Sequence, residues 1–305
     1  MDRIDTMAAF VAAVDEGSLS GAARRLGRSP AAITRAIAAL EARAGTRLLH
    51  RTTRVVALTE AGERYLETCR RILTDLEEAD LFAAGERATP HGTLTLTAPL
   101  IFGRLYVRPI AGAFRESHPA VKVKLLLFDR VANLIEEGMD AAVRIGHLPD
   151  SGVVAVKTGE VRRVVCASPE YLKRHKAPRV PADLAKHECI SNSAVTPTDT
   201  WTFVSASKSN LHVHVQAHLI VNHPEAAIDA ALEGRGVTRV LSYQVERELR
   251  AGRLRTLLER FEPPPEPVRV IYPAARLAPA KVKAFVALAV PRLRAEMARI
   301  HKATG

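Results

Sequence analysis

Apolar residues recur at helical spacing from the start of the chain. Ile4, Met7, Phe10, Val11 and Val14 fall on one face and Gly17 supplies a stop, which predicts a first amphipathic helix. Ser20 is placed to cap a short second helix whose Ala22, Ala23 and Leu26 face inward. Gly27 and Arg28 predict a tight turn. Ser29 followed by Pro30 is the cap and first-turn pair of a third helix, which buries Ile33, Ile37 and Leu40 and ends at Gly45. The period then shortens: Leu48 to Arg51 and Val55 to Leu58 read as two short strands around Thr52 and Thr53. Thr59 with Glu60 caps a long helix running to about Arg87, before Pro90 and Gly92 break the pattern. Along it Tyr65, Cys69, Ile72, Leu76 and Ala79 follow 4, 3, 4, 3 spacing, the seam of a two-stranded coiled coil. That seam is covered either by a second copy of the chain or by the helix's own domain.

Beyond Gly92, strands alternate with helices. The pattern predicts a strand from Thr93 to Thr97, a helix from Pro99 to about Glu116, a strand from Val121 to Phe128, a helix from Asn133 to Glu137 and a strand from Ala141 to Ile145. It restarts with the strand Val161 to Ala167, a helix opened by Ser168 and Pro169, the strand His212 to Val221, a helix from Pro224 to Glu233 and the strand Val237 to Leu241. After the proline-rich stretch Glu262 to Pro267 come a strand, Val268 to Tyr272, and a last helix from Pro279 to about Arg299. The fold class is therefore α/β with an N-terminal, mainly α domain, and the α/β region consists of two similar halves.

Composition narrows the class. A chain of 305 residues with 47% apolar and 25% charged residues has enough material for about two domains with their own cores, which excludes disorder. No apolar stretch approaches the roughly 20 residues that span a bilayer, and the start of the chain lacks a basic segment followed by an uninterrupted hydrophobic one. Cys69, Cys166 and Cys189 are odd in number and far apart, with no CxxC pair, so a reducing cytoplasm is the expected location.

The net charge of +11 favours a polyanionic partner. Its local distribution is more telling, because eight arginines (24, 25, 28, 35, 43, 47, 51, 54) stand against Glu41 alone between Ser18 and Leu58. The following stretch, Thr59 to Arg87, holds eight acids and four arginines. A compact basic unit made of two short helices joined by a glycine turn is a helix-turn-helix, whose second helix enters the major groove of double-stranded DNA. Pro30, Ala31, Thr34 and Arg35 lie on the outer face of that helix. Thr34 and Arg35 can bond phosphate or base edges, and Pro30 and Ala31 can pack on thymine methyls. With Ser20 and Ser29 at the helix starts, and Arg51, Thr52, Thr53 and Arg54 on the wing between the two short strands, these are the candidate DNA-binding residues. About half of the eight arginines are expected to touch DNA, the others being solvent-facing.

The stretch SLSGAARRLGRSPAAITRAIAALEARAGTRLLHRTTRVVALTEAGERY resembles the winged helix-turn-helix signature of LysR-type transcriptional regulators. LTAPLIFGRLYVRPI, AFRESHPAVKVKL, LIEEGMDAAVRIGHL and RRVVCASPEYLKRH resemble the effector domain of the same family, so the likeness covers nearly the whole chain. It implies a winged helix-turn-helix at residues 1–58, a linker and dimerisation helix with a hinge at 59–91, and a periplasmic-binding-protein-like effector domain at 92–305. Within that domain, subdomain I would comprise about 92–161 and 268–300, and subdomain II about 162–267. It also implies a homodimer or homotetramer that regulates transcription, answers to a small-molecule effector and has RNA polymerase as a further partner. One departure stands in the recognition helix, where Pro30 and Ala31 occupy positions at which many members carry Gln or Ser.

Family members commonly hold their effector at the corners matching Thr97, Ala98, Pro99 and Leu100, at Asn222 and His223, at the strand end from Arg144 to Gly146, and at the segment from Ser193 to Thr196. Thr97 and Asn222 also suit plain helix caps, and Arg144 a structural ion pair. Arg104 and Arg144 favour an anionic ligand. Cys69 is read as a small core residue on the seam rather than a redox sensor. No dinucleotide fingerprint, P-loop, HExxH or GxSxG elbow is present, so neither a cofactor nor an enzymatic activity is expected. His212, His214 and His218 share one face of their predicted strand without a carboxylate or cysteine at ligand spacing, and no metal is expected there. The rivals are a small-molecule carrier or enzyme built on the α/β region, and a constitutive DNA-binding protein without an effector.

Overall fold

The structure is a computed structural model, and it describes residues 2–50, 56–83, 89–146, 152–193, 199–205, 207, 209–274 and 278–304. The chain divides into two compact units, Met1–Gly92 and Thr93–Gly305. No helix among the described residues is long and apolar enough to cross a membrane.

The first unit is built from α1 (Arg3–Asp15), α2 (Leu19–Arg25), α3 (Pro30–Ala44) and α4 (Glu60–Ala83). Its core gathers the residues that the helical spacing predicts: Phe10, Ile33 and Leu40 are fully buried together with Leu48. Gly27, at φ +61°, makes the turn between α2 and α3 in a backbone region that side-chain-bearing residues avoid. Ser29 caps α3 through the amide of Ala32 at 3.2 Å, with Pro30 in the first turn. Ser20 does not cap α2. That role belongs to Ser18, whose hydroxyl accepts from the Gly21 amide at 3.0 Å, because the chain turns two residues earlier and Ser20 is already helical. Leu49 and Leu58 form an isolated antiparallel bridge at the root of the predicted wing, and the His50 amide donates to the Ala57 carbonyl at 2.9 Å. Arg51, Thr52, Thr53 and Arg54 lie outside the described residues.

The second unit holds two five-stranded sheets. In chain order it runs through β1 (Gly92–Ala98), α5 (Leu100–Phe102), a π-helical turn (Gly103–Val107), α6 (Arg108–Ser117), β2 (Val121–Leu127), β3 (Ala141–Ile145), β4 (Val153–Val161) and β5 (Arg163–Ala167). Then follow α7 (Pro169–Arg174), β6 (Cys189–Asn192), β7 (Thr200–Val204), β8 (Asn210–His214), β9 (Ala217–Val221), α8 (Pro224–Leu232), β10 (Val237–Leu241), α9 (Ser242–Arg250), β11 (Arg255–Leu257), β12 (Glu266–Pro273) and α10 (Ala280–Thr304). The first sheet has the order β2-β1-β3-β12-β4 and the second β11-β5-β10-β6-β9, while β7 and β8 form a separate ribbon. The chain thus leaves the first sheet after β4, builds the second, and returns through β12.

Three sequence expectations fail here. Residues Asn133 to Glu137 form a single hydrogen-bonded turn, not a helix; the Glu137 amide reaches the Asn133 carbonyl at 3.0 Å, and Gly138 at φ +65° ends it. The predicted strand from His212 to Val221 is two strands in two sheets. Val213 and Val215 pack with Trp201 and Phe203, and the chain then turns into the edge of the second sheet. His212, His214 and His218 therefore do not share one strand face: His218 pairs with Glu188 at 2.6 Å, and His212 Nδ1 lies 3.2 Å from the Thr202 hydroxyl. Finally, β4, β6, β7 and β11 have no counterpart among the predicted strands, nor has α9 among the predicted helices.

Candidate functional site

The outer face of α3 carries exposed Pro30, Ala31, Thr34 and Arg35, while Ile33, Ala36 and Ile37 point inward. The Thr34 hydroxyl donates to the Pro30 carbonyl at 3.0 Å, which commits its proton to the helix backbone. Arg35 is the sole charged side chain among these four, and with exposed Arg24, Arg43 and Arg47 it makes no ion pair with a described residue. Other basic residues serve the fold. Arg28 binds Asp5 on α1 at 2.7 Å, and Arg25 binds Asp15 at 3.2 Å.

On α4 the predicted seam divides. The Tyr65 ring lies 6.4 Å from that of Phe10, Ile72 packs against the first unit's core, and Cys69 is fully buried within that core. Cys69 is thus a residue of its own domain and unavailable to a second helix. Burial pushes its thiol up to about 11. Leu76 and Ala79 are exposed, and Leu76 keeps 41% of its surface free.

In the second unit, the corner after β1 holds Thr97, Ala98, Pro99 and Leu100. Thr97 and Ala98 are fully buried. Thr97 does not cap the following helix, which starts from Pro99 without a side-chain cap; its hydroxyl has no hydrogen-bond partner among the described residues. Asp129, which sequence reasoning missed, accepts from the Leu100 amide at 3.0 Å and fixes this corner. Arg144 lies on β3, 8% exposed, with its guanidinium carbon 5.7 Å from the Phe128 ring centroid. It makes no ion pair with a described residue and its Nη2 is buried without a partner. Burial lowers its pKa, the nearby Glu137 opposing the shift. The Gly146 amide donates to the Pro267 carbonyl at 3.0 Å, which seats the end of β3 on the returning strand.

On the second sheet, His223 rather than Asn222 caps α8. Its Nδ1 accepts from the Glu225 amide at 3.4 Å, so the neutral ring carries its proton on Nε2, which is buried and also unpartnered. Ser193 donates through both its amide, at 2.8 Å, and its hydroxyl, at 3.3 Å, to the Val221 carbonyl. Thr196 lies outside the described residues. Arg104, expected to attract an anion, is paired with Glu225. The pair joins the helical segment after the Thr97 corner to the first turn of the helix opened by His223. A groove of about 1200 Å³ lies on the helical side, lined by Arg104, Tyr106, Glu225, Tyr243 and Glu246 among others, and includes none of the predicted effector residues but borders their corners.

The first unit thus presents an exposed, cation-bearing helix set by a cap and a glycine turn, and the second presents buried donors at strand ends. Two protein families match these parts: the helix-turn-helix of bacterial regulatory proteins of the lysR family over residues 4–63, and the LysR substrate binding domain over residues 87–294. An HTH-type transcriptional regulator of Xanthomonas campestris pv. campestris is 34% identical over 96% of this chain and 86% of its own length. The HTH-type transcriptional regulator PtxR of Pseudomonas aeruginosa is 34% identical over 93% of this chain and 91% of its own. The structure of CrgA, a LysR-type transcriptional regulator from Neisseria meningitidis, superposes with a TM-score of 0.60 at 29% identity, covering 95% of this chain and 98% of that one. The chain therefore belongs to the LysR family of transcriptional regulators, sequence-specific DNA-binding proteins with an effector-binding domain.

Proposed function

We propose that this regulator recognises its operator through Ser29, Pro30, Ala31, Thr34 and Arg35 on α3 with Arg51, Thr52, Thr53 and Arg54 of the wing, and senses a small anion held between Thr97, Arg144 and His223. In this reading the DNA-binding domain is 1–58, the linker 59–91 and the effector domain 92–305. The observation that carries it is chemical. Thr97 Oγ1, Arg144 Nη2 and His223 Nε2 are buried side-chain atoms able to donate hydrogen bonds, each without a partner among the described residues. Each such unsatisfied buried group costs roughly 1–3 kcal/mol, more where it is charged, so a ligand that reached all three would relieve that cost. The ligand they suit is rich in acceptor oxygens and negatively charged, since Arg144 brings a cation without a paired carboxylate. Ser193 and Asn222, at the ends of strands of the second sheet, complete this reading of the site.

The regulator acts as a dimer or tetramer in the cytoplasm, contacts RNA polymerase from its promoter site, and has no enzymatic activity. A pair of α4 helices meeting through Leu76 and Ala79 would present two recognition helices to a twofold site in successive major grooves. The effector would shift the balance between two arrangements of that assembly, to the extent that it binds one better than the other. Trp201 is the single tryptophan and lies buried in the lobe built on the second sheet, so its fluorescence is the signal to follow during ligand titration. Small carboxylates and phosphates screened in this way should include at least one saturable binder whose binding is lost in Arg144→Met but retained in Arg104→Met. Saturable binding only of cations, or equal binding by Arg144→Met, would refute the anionic site.

A further inference from the structure

The recognition helix and the linker helix are joined through one short stretch of backbone, and Glu41 holds it. Glu41 is the single acid between Ser18 and Leu58, an odd placement on a helix that must approach phosphates. Its Oε1 accepts from two successive amides, Leu48 at 2.8 Å and Leu49 at 3.1 Å. Leu48 itself is fully buried in the first unit's core, and its carbonyl accepts from the Thr59 amide at 3.0 Å. The Thr59 hydroxyl donates to the Arg47 carbonyl at 2.8 Å and accepts from the Gly62 amide at 2.9 Å. Gly62 seals the joint. A Cβ built on it would stand 2.0 Å from the Leu48 carbonyl oxygen, so that oxygen and the first turn of α4 meet with no room for a side chain.

We propose that Glu41 is a positioning residue for DNA binding: by gripping the amides of Leu48 and Leu49 it makes α3, the root of the wing and the start of α4 one rigid joint. Leu49 opens the bridge to Leu58, so the grip sets where the wing leaves the recognition helix. Exposed Arg47 sits beside it and is carried into register with Arg35. The carboxylate is consumed by backbone donors, which offsets the repulsion it would otherwise exert on phosphate. The same joint ties the orientation of the recognition helix to that of the linker, so a twist of one turns the other.

The test uses the full-length protein, an operator selected from random duplexes, and affinity measured across a salt series for Glu41→Ala, Glu41→Asp and Glu41→Gln. Glu41→Ala, checked for folding by its thermal melt, should bind roughly tenfold more weakly or worse. The slope of log affinity against log salt should fall by about one per half-site as a phosphate contact near Arg47 is lost. Glu41→Asp keeps the charge but falls one methylene short of gripping both amides, and should lose slope to a lesser degree. Glu41→Gln keeps an acceptor oxygen and should restore most of both. Wild-type slope in Glu41→Ala, or in Glu41→Asp should the alanine variant not fold, would overturn the proposal. So would a fall confined to the active fraction with slope unchanged, which would mark Glu41 as merely structural.

Discussion

Arg144 brings a full charge into a site that gives it a carbonyl at 3.4 Å, an aromatic face and no paired carboxylate among the described residues. A buried cation left so poorly compensated stabilises nothing by itself. Replacing it with an apolar side chain of similar length should be neutral or stabilising by roughly 1 kcal/mol or more, a rise of about 2–4 °C for a unit of this size. Arg144→Met is therefore expected to melt no lower than wild type in calorimetry while losing its response to the effector, a trade of stability for sensing. A lower melting temperature would mean that the guanidinium is structural. The cysteines make a second residue-scale case. Burial pushes the thiols of Cys69 to about 11 and of Cys166 and Cys189 to about 12, so almost none is thiolate near neutral pH. A chromogenic thiol reagent at pH 8 should find no fast-reacting group in the native protein and all three once it is unfolded. A fast-reacting native thiol would contradict the packing described for it.

The linker helix shows what periodicity can and cannot say. The spacing from Tyr65 to Ala79 marks one helical face, but a face does not name its partner. Along the first half of α4 that partner is the Phe10 core of the same chain, and only the part carrying Leu76 and Ala79 remains open. Leu76→Asp should accordingly weaken self-association in sedimentation velocity with little change in the melt of the first unit. Cys69→Ser should act in the opposite way, costing about 1–3 kcal/mol of stability by burying a hydroxyl while leaving association intact. The same distinction runs through the whole chain. Caps and glycine stops made α3 readable to the residue, because Ser29, Pro30 and a left-handed turn are local chemistry. By contrast, β4 was not legible: Lys157, Thr158 and Gly159 interrupt its apolar run, and it is an edge strand held by one neighbour, β12. The break between β8 and β9 was hidden for a similar reason, since the valines at 213 and 215 continue the alternation while serving a different core. Among the residues of the proposed effector site, Thr97, Arg144 and His223 are named through resemblance. Asp129 and Glu41 are not, because a carboxylate that grips backbone amides has no spacing signature in the sequence.

At the scale of the molecule, the charge pattern runs against a simple expectation. Residues 1–87 carry 13 arginines and 13 acids, so the unit that reads DNA is neutral as a whole. Its cations are segregated instead: Arg24, Arg35, Arg43 and Arg47 are exposed without a described partner, whereas the acids of α4 follow after them in the chain. Affinity for DNA should thus depend on this local cluster rather than on the net charge of +11. The most direct measurement is a footprint of the purified full-length protein on the promoter region beside its own coding sequence, titrated with salt and nonspecific competitor, for wild type and Arg35→Ala. Wild type should give a competitor-resistant, twofold-symmetric protected site, and the variant should lose about 1–3 kcal/mol per half-site, which abolishes the protection. Equal protection by Arg35→Ala, or no protected site on any promoter by a folded wild-type dimer, would contradict this reading.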